Sequence, residues 1–277
     1  MRKRVKIGLA LGSGGAKGFA HIGVIKILEQ NNIPIDFIAG SSAGALMGGI
    51  YATFKDSQKL EKIALSTKWH QLFSMIDPSL RGGLIKGNKI KSFLERIINK
   101  TTFDELKIPF KAVATDFKTG EAVEISKEEV SLAIQASGAF PFVFEPVRWE
   151  GRLLSDGGIS NPVPVKTVRK MGADIIIAVN LENKNYLRIP FSQKNPYSIA
   201  QRAIRLIVYN LAQDCIKSAD IVIEPEIGNL GLLSWSKFFN RRGKNLILNG
   251  EKATQAVLPK LKNLIRIKNK KFIKSNL

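Results

Sequence analysis

Cysteine is almost missing from these 277 residues. Cys215 stands alone, so no intrachain disulfide is available and a reducing compartment fits. Histidine is nearly as scarce, with only His21 and His70, which restricts any chemistry that needs an imidazole base. No uninterrupted apolar run approaches about eighteen residues, so no membrane-spanning helix is expected. The basic start MRKRVKIGLALGSGGAKG has no leader-like apolar stretch, because Gly12 to Gly15 and Lys17 interrupt it. It reads instead as a first strand. Acidic residues are few: 23 Asp and Glu stand against 43 Lys and Arg, a formal net charge of +20. That excess suits a polyanion, either nucleic acid or an anionic membrane face. It equally suits a lysine-rich chain kept soluble by its charge.

What is present is the patterning of a folded α/β chain. Hydrophobic residues make up 44%, enough for a sizeable core. Residues 5–11 read as a strand, and 18–30 as a buried helix stopped by Asn31-Asn32 and Pro34. A strand over 36–41 and a helix over 43–54 repeat the beat, which is that of a parallel sheet. A helix is expected over 88–99, and a hairpin of 110–116 with 122–125 around Lys118-Thr119-Gly120. Ser126 and Glu129 have the spacing of a capping box opening a helix to Ser137. The run GAFPFVFEPV holds two prolines and is excluded as a central strand. Residues 148–149 and 152–154 pair around Glu150-Gly151. Short strands over 174–180 and 221–223 flank a long helix over 198–217. From 247 the pattern is helical as far as Pro259 and basic beyond it. Residues 71–86 form an irregular apolar segment, expected as a flap through Leu72, Phe73, Met75, Ile76, Leu80 and Leu84. No repeat or linker divides the chain, so one domain is expected.

Three turns carry candidate chemistry. The first is Gly12-Ser13-Gly14-Gly15-Ala16-Lys17-Gly18. Both a Walker loop and a dinucleotide fingerprint need glycine where Lys17 stands, so neither pattern fits. What remains is either a plain strand-to-helix turn or a set of free backbone N–H groups for a transient oxyanion. The second is Gly40-Ser41-Ser42-Ala43-Gly44, whose Gly-x-Ser-x-Gly spacing matches a nucleophile elbow, or simply a small-residue turn. Neither histidine follows Ser42 in the order that an α/β-hydrolase triad requires. The third is Asp156-Gly157-Gly158. Asp156 can act as a base without histidine if burial raises its pKa, although Asp-Gly is also common in ordinary turns.

In this order, and with GLALGSGGAKGFAHIGVIKILEQ and ASGAFPFVFEPV, the motifs resemble the patatin-like phospholipase family. The similarity is to its bacterial, neuropathy-target-esterase-like branch and covers about residues 6–170. It implies a three-layer α/β/α fold with a mostly parallel central sheet; residues 171–277 are expected to complete the same domain, with 259–277 a basic tail. It also implies a lipid acyl-ester hydrolase, of the phospholipase A or lysophospholipase type, without metal or cofactor. By the same resemblance Ser42 is the nucleophile and Asp156 its base. Gly14 and Gly15 form the oxyanion hole, and by analogy with other elbows Ala43 assists. Lys17 stands where the family often has arginine, and Ser13 where it often has glycine. A cytoplasmic protein peripheral to the inner membrane face is expected, with no specific nucleic acid. The rival readings are a nucleotide- or nucleic-acid-binding protein and an inactive lipid-binding scaffold.

Overall fold

A run of five apolar-compatible residues, Ile-Gly-Leu-Ala-Leu, makes the central strand β1 (Ile7–Leu11), buried along its whole length. Such continuous burial suits a parallel strand covered on both faces. The structure is a computed structural model that describes residues 4–66, 77–78, 82–184, 195–227 and 241–274. β1 is flanked by β2 (Phe37–Ser41) and by β9 (Ile175–Val179), both parallel to it. β10 (Ile221–Ile223) continues the parallel sheet beyond β9, and β4 (Phe110–Asp116) continues it beyond β2. Further along β4 the pairing turns antiparallel, with β8 (Arg152–Asp156), which in turn pairs antiparallel with β7 (Val147–Trp149).

Side chains alternate between two cores. Leu9, Leu11, Ile175 and Ile177 pack on one face of the sheet with residues of α1 (Phe19–Gln30), α2 (Ala43–Phe54) and α8 (Arg241–Lys274). Ala10, Ile176 and Ala178 face the other way, toward α6 (Val165–Lys170) and Ala212 of α7 (Pro196–Ile216). This is the three-layer α/β/α architecture. Strands β9 and β10 place part of residues 171–277 in the same sheet as residues 7–156.

The register of β4 brings distant segments together. One edge pairs with β5 (Ala122–Ile125). The other pairs first with β2, ending at Ser41 opposite Val113, and then with β8, where Asp156 stands opposite Ala114. Because β8 runs antiparallel to β2, the carboxyl ends of the two strands meet on one edge of β4.

Several local expectations are corrected. The capping box at Ser126 does not form: α5 (Val130–Ser137) starts later, after Glu129, whose carboxylate is engaged by Lys91 instead. A capping box forms at Thr102 and Glu105, on a single 3-10 turn. The terminal helix does not stop at Pro259 but continues to Lys274. Gln255, which lies four residues before this proline and loses its helical donor, is exposed, so water can satisfy its carbonyl. The run GAFPFVFEPV enters the main sheet only with its last residue, Val147, which opens β7. Its β6 (Phe142–Phe144) pairs only with β3 (Gly83–Ile85). Of the expected flap, Leu72, Phe73, Met75, Ile76 and Leu80 lie outside the described residues, while Leu84 is exposed. The helix expected over 88–99 is α4 (Asn88–Ile98).

Candidate active site

Ser42 joins β2 to α2 with φ of 52°, a left-handed conformation that is strained for a serine. The flanking glycines allow it. A Cβ on Gly40 would lie 2.4 Å from the Gly44 carbonyl, and one on Gly44 would lie 2.0 Å from the Leu11 carbonyl oxygen. The elbow is tied down from below: the Ser42 N–H donates to Ser137 Oγ at 2.8 Å, and that hydroxyl donates to the Val113 carbonyl. Ser137 was not singled out in the sequence, although it lies within the ASGAF stretch.

Ser42 Oγ is 2.6 Å from Asp156 Oδ2, to which it donates. The other carboxylate oxygen, Oδ1, accepts the Gly158 N–H at 2.7 Å. Asp156 is buried, and burial pushes its pKa up to about 6 against the opposing effect of these two hydrogen bonds. His21 does not join them. His21 is fully buried in α1, and its Nε2 lies 2.8 Å from the Gly12 carbonyl. Burial drives its pKa down to about 4, so it is a neutral core residue whose ring donates to that carbonyl. His70 lies outside the described residues.

The glycine turn leaves β1 beside the elbow, because β1 and β2 are neighbours with Leu11 opposite Gly40. Gly12 and Ser13 donate their N–H groups to Val179 and Pro162. Among the described residues the N–H groups of Gly14 and Gly15 donate to no acceptor. The N–H of Ala43 opens α2, where the first amides have no intrahelical partner and the helix dipole favours negative charge. Ala16 and Lys17 are buried, and Gly18 packs against α2. Lys17 replaces a guanidinium fork with a single ammonium, held at 2.9 Å by Glu182 and at 3.2 Å by the Leu181 carbonyl. Burial pushes its pKa below the ordinary ammonium value, and Glu182 works against that shift. Ser13 is buried, its Cβ lying 2.9 Å from where a Gly158 Cβ would be.

Ser42 stands between two recesses. One is an apolar cavity of about 110 Å³ lined by Leu46, Ile90, Leu94, Ile134 and Phe144. The other is smaller, about 30 Å³, with the charged groups Asp156, Glu182 and Arg205 beside Phe140, Ile204 and Val208 in its wall. Gly15 and Ser42 line both.

Fold and site together define an α/β protein with a serine elbow, a buried carboxylate and a glycine turn at the carboxyl edge of a parallel sheet. The chain belongs to the patatin-like phospholipase family, whose model matches residues 9–169, more than half of the sequence. It is 40% identical over 177 residues to an uncharacterized NTE family protein of Mycobacterium tuberculosis, covering 64% of this chain and 49% of that one. It is 30% identical over 190 residues to the human patatin-like phospholipase domain-containing protein 6, covering 65% of this chain and 14% of that protein. To a protein of Scheffersomyces stipitis named a lysophospholipase it is 27% identical over 263 residues, covering 84% of this chain and 17% of that one. The chain therefore spans about half the length of its mycobacterial relative. Among solved structures, VipD from Legionella pneumophila shares the fold with a TM-score of 0.56 at 15% identity, over 94% of this chain and 67% of that one.

Proposed function

We propose that this protein hydrolyses acyl esters of lipids, in the manner of a phospholipase A or lysophospholipase, through Ser42 and Asp156. The observation that carries the reading is the 2.6 Å contact between Ser42 Oγ and a buried carboxylate, on a strained elbow that opens into an apolar cavity. The acyl chain occupies that cavity and the leaving group the smaller recess. Asp156 accepts the Ser42 proton as Oγ attacks the ester carbonyl. The N–H groups of Gly14, Gly15 and Ala43 stabilise the oxyanion, each worth about 3–4 kcal/mol when well placed. The protonated Asp156 gives its proton to the departing alcohol. Water, activated by the same carboxylate, then attacks the acyl-enzyme, and the fatty acid leaves as Ser42 recovers its proton.

In this reading residues 6–170 carry the catalytic motifs, and 171–277 complete the same unit. The protein works in the cytoplasm at an anionic membrane face; among the described residues no helix is long and apolar enough to cross a membrane. The decisive experiment compares wild type with Ser42→Ala. Turnover of a p-nitrophenyl ester and labelling by a fluorophosphonate should both vanish in a protein that remains folded. Full turnover by Ser42→Ala would refute the assignment.

A further inference from the structure

Lys17 and Glu182 are both buried, and a buried ion pair is seldom a gain in stability over apolar side chains of similar size. This one touches the glycine turn. Lys17 N–H donates to the Gly14 carbonyl at 3.2 Å, closing the turn, and its Cε lies 3.4 Å from where a Gly14 Cβ would stand. Leu181 covers the same point at 2.9 Å. The lysine stem and Leu181 thus pack on Gly14, while the ammonium is pinned to Glu182 and the Leu181 carbonyl.

Glu182 is itself held. Its N–H donates to Asn180 Oδ1, and its carbonyl accepts from Gln213 of α7. Asn180 in turn donates to Glu224, just past β10. A chain of hydrogen bonds therefore runs from the C-terminal part of the sheet to the turn beside Ser42. Glu182 lies beyond residue 169, where the family match ends. It also lines the smaller recess, whose other charged groups are Asp156, at the end of β8, and Arg205, on α7.

We propose that Glu182 is a positioning residue for ester hydrolysis: it pins Lys17, Lys17 holds the Gly14-Gly15 turn where the oxyanion forms, and the same carboxylate supplies negative charge beside Asp156. The inference rests on the hydrolase reading above. A pair kept only for folding would be replaceable by apolar residues, whereas a pair that aims backbone donors would not.

The test uses Lys17→Met, Glu182→Leu, the double variant Lys17→Met/Glu182→Leu, Glu182→Gln and Lys17→Arg in the full chain, with p-nitrophenyl ester kinetics and denaturation curves. The double variant should recover the stability that either single change loses, because no charge is left buried alone. Its kcat should stay at least tenfold below wild type with KM nearly unchanged, as expected for contacts made only in the transition state. Lys17→Arg should restore most of the rate. Glu182→Gln should move the rising limb of the pH profile to lower pH, because a negative neighbour of Asp156 has been removed. A double variant with wild-type kcat, or a Glu182→Gln variant with an unmoved pH limb, would overturn the proposal. Wild-type activity with unaffected variants defeats this inference alone, and a wild type with no Ser42-dependent turnover defeats both readings.

Discussion

In the proposed reaction the carboxylate of Asp156 must be ionised to take a proton, yet burial favours its neutral form and raises its pKa to about 6. Turnover should therefore rise with pH through about 6 and level off above it, which a pH–rate profile of kcat/KM measures. The stability effect has the opposite sign. The native state holds the Asp156 proton between pH 3.8 and about 6 and the unfolded chain does not, so this stabilisation is complete below 3.8 and lost as pH rises through 6. Asp156→Asn should accordingly abolish turnover while raising unfolding free energy above pH 6 by up to about 2–3 kcal/mol, read from urea curves. His21 acts in the reverse direction. Its pKa is lowered to about 4, so its contribution is present above 6.5 and lost as pH falls through 4. His21→Gln, which can still donate to the Gly12 carbonyl, should keep most activity and flatten the acid limb of stability. The proximity of Ser42 and Asp156 was foreshadowed by the glycines beside each, which mark places where backbone crowds a site. Glu182 and Ser137 carry no such marker. Each acts through one side-chain contact to a residue 165 or 95 positions away, and spacing along a chain says nothing about contacts of that kind.

At the scale of elements, glycines let α1 and α8 approach backbone to backbone. A Cβ on Gly23 of α1 would lie 1.9 Å from the Ile247 carbonyl oxygen, and one on Gly250 of α8 would lie 2.1 Å from the Ala20 carbonyl oxygen. The two backbones touch, so either glycine replaced by alanine must push the helices apart. Gly23→Ala and Gly250→Ala should each destabilise by about 1–3 kcal/mol or more, and the double variant by less than the sum, since one separation relieves both clashes. Denaturant unfolding of the four proteins checks this. In the sequence Gly23 looks like a weak point in a helix, and only the crossing helix, more than two hundred residues later, explains it. The strands were the more legible part: buried parallel strands announce themselves as short apolar runs, here over 5–11, 36–41 and 221–223. Helix ends were less legible, because they depend on competition for side chains. Lys91 engages Glu129, the acid of the expected capping box, and the solvent exposure that lets Pro259 sit inside α8 appears only once the helix is docked.

For the whole molecule, the net charge of +20 and the fate of the basic tail belong together. Beyond Pro259 basic residues alternate with Leu261, Leu264, Ile265 and Phe272, which can share one helical face, and such a segment could lie on a membrane with its apolar side down. In the structure that side is occupied: Leu261 is fully buried, and Leu264, Ile265 and Phe272 pack against the main core. Polar ties fix the same stretch, with Asn269 accepting the Val5 N–H and Lys268 pairing with Asp220 at 2.8 Å. Cutting the chain at Pro259 would thus uncover core and confuse folding with binding. What faces outward is Lys260, Arg266, Lys270 and Lys271, with Ile267 and Ile273 exposed among them. A docked helix of this kind meets a bilayer by charge, with little apolar insertion, and each basic residue near an anionic surface contributes about 1 kcal/mol. Four reversals, Lys260→Glu, Arg266→Glu, Lys270→Glu and Lys271→Glu, leave the buried face intact and should leave thermal unfolding nearly unchanged. In co-sedimentation with anionic vesicles the reversed protein should fall to the level seen with neutral vesicles, and wild-type binding should fall likewise in high salt, where screening shortens the reach of surface charge to a few ångströms. Undiminished binding by the reversed protein, or wild-type binding indifferent to lipid charge and salt, would place the membrane contact elsewhere on the surface.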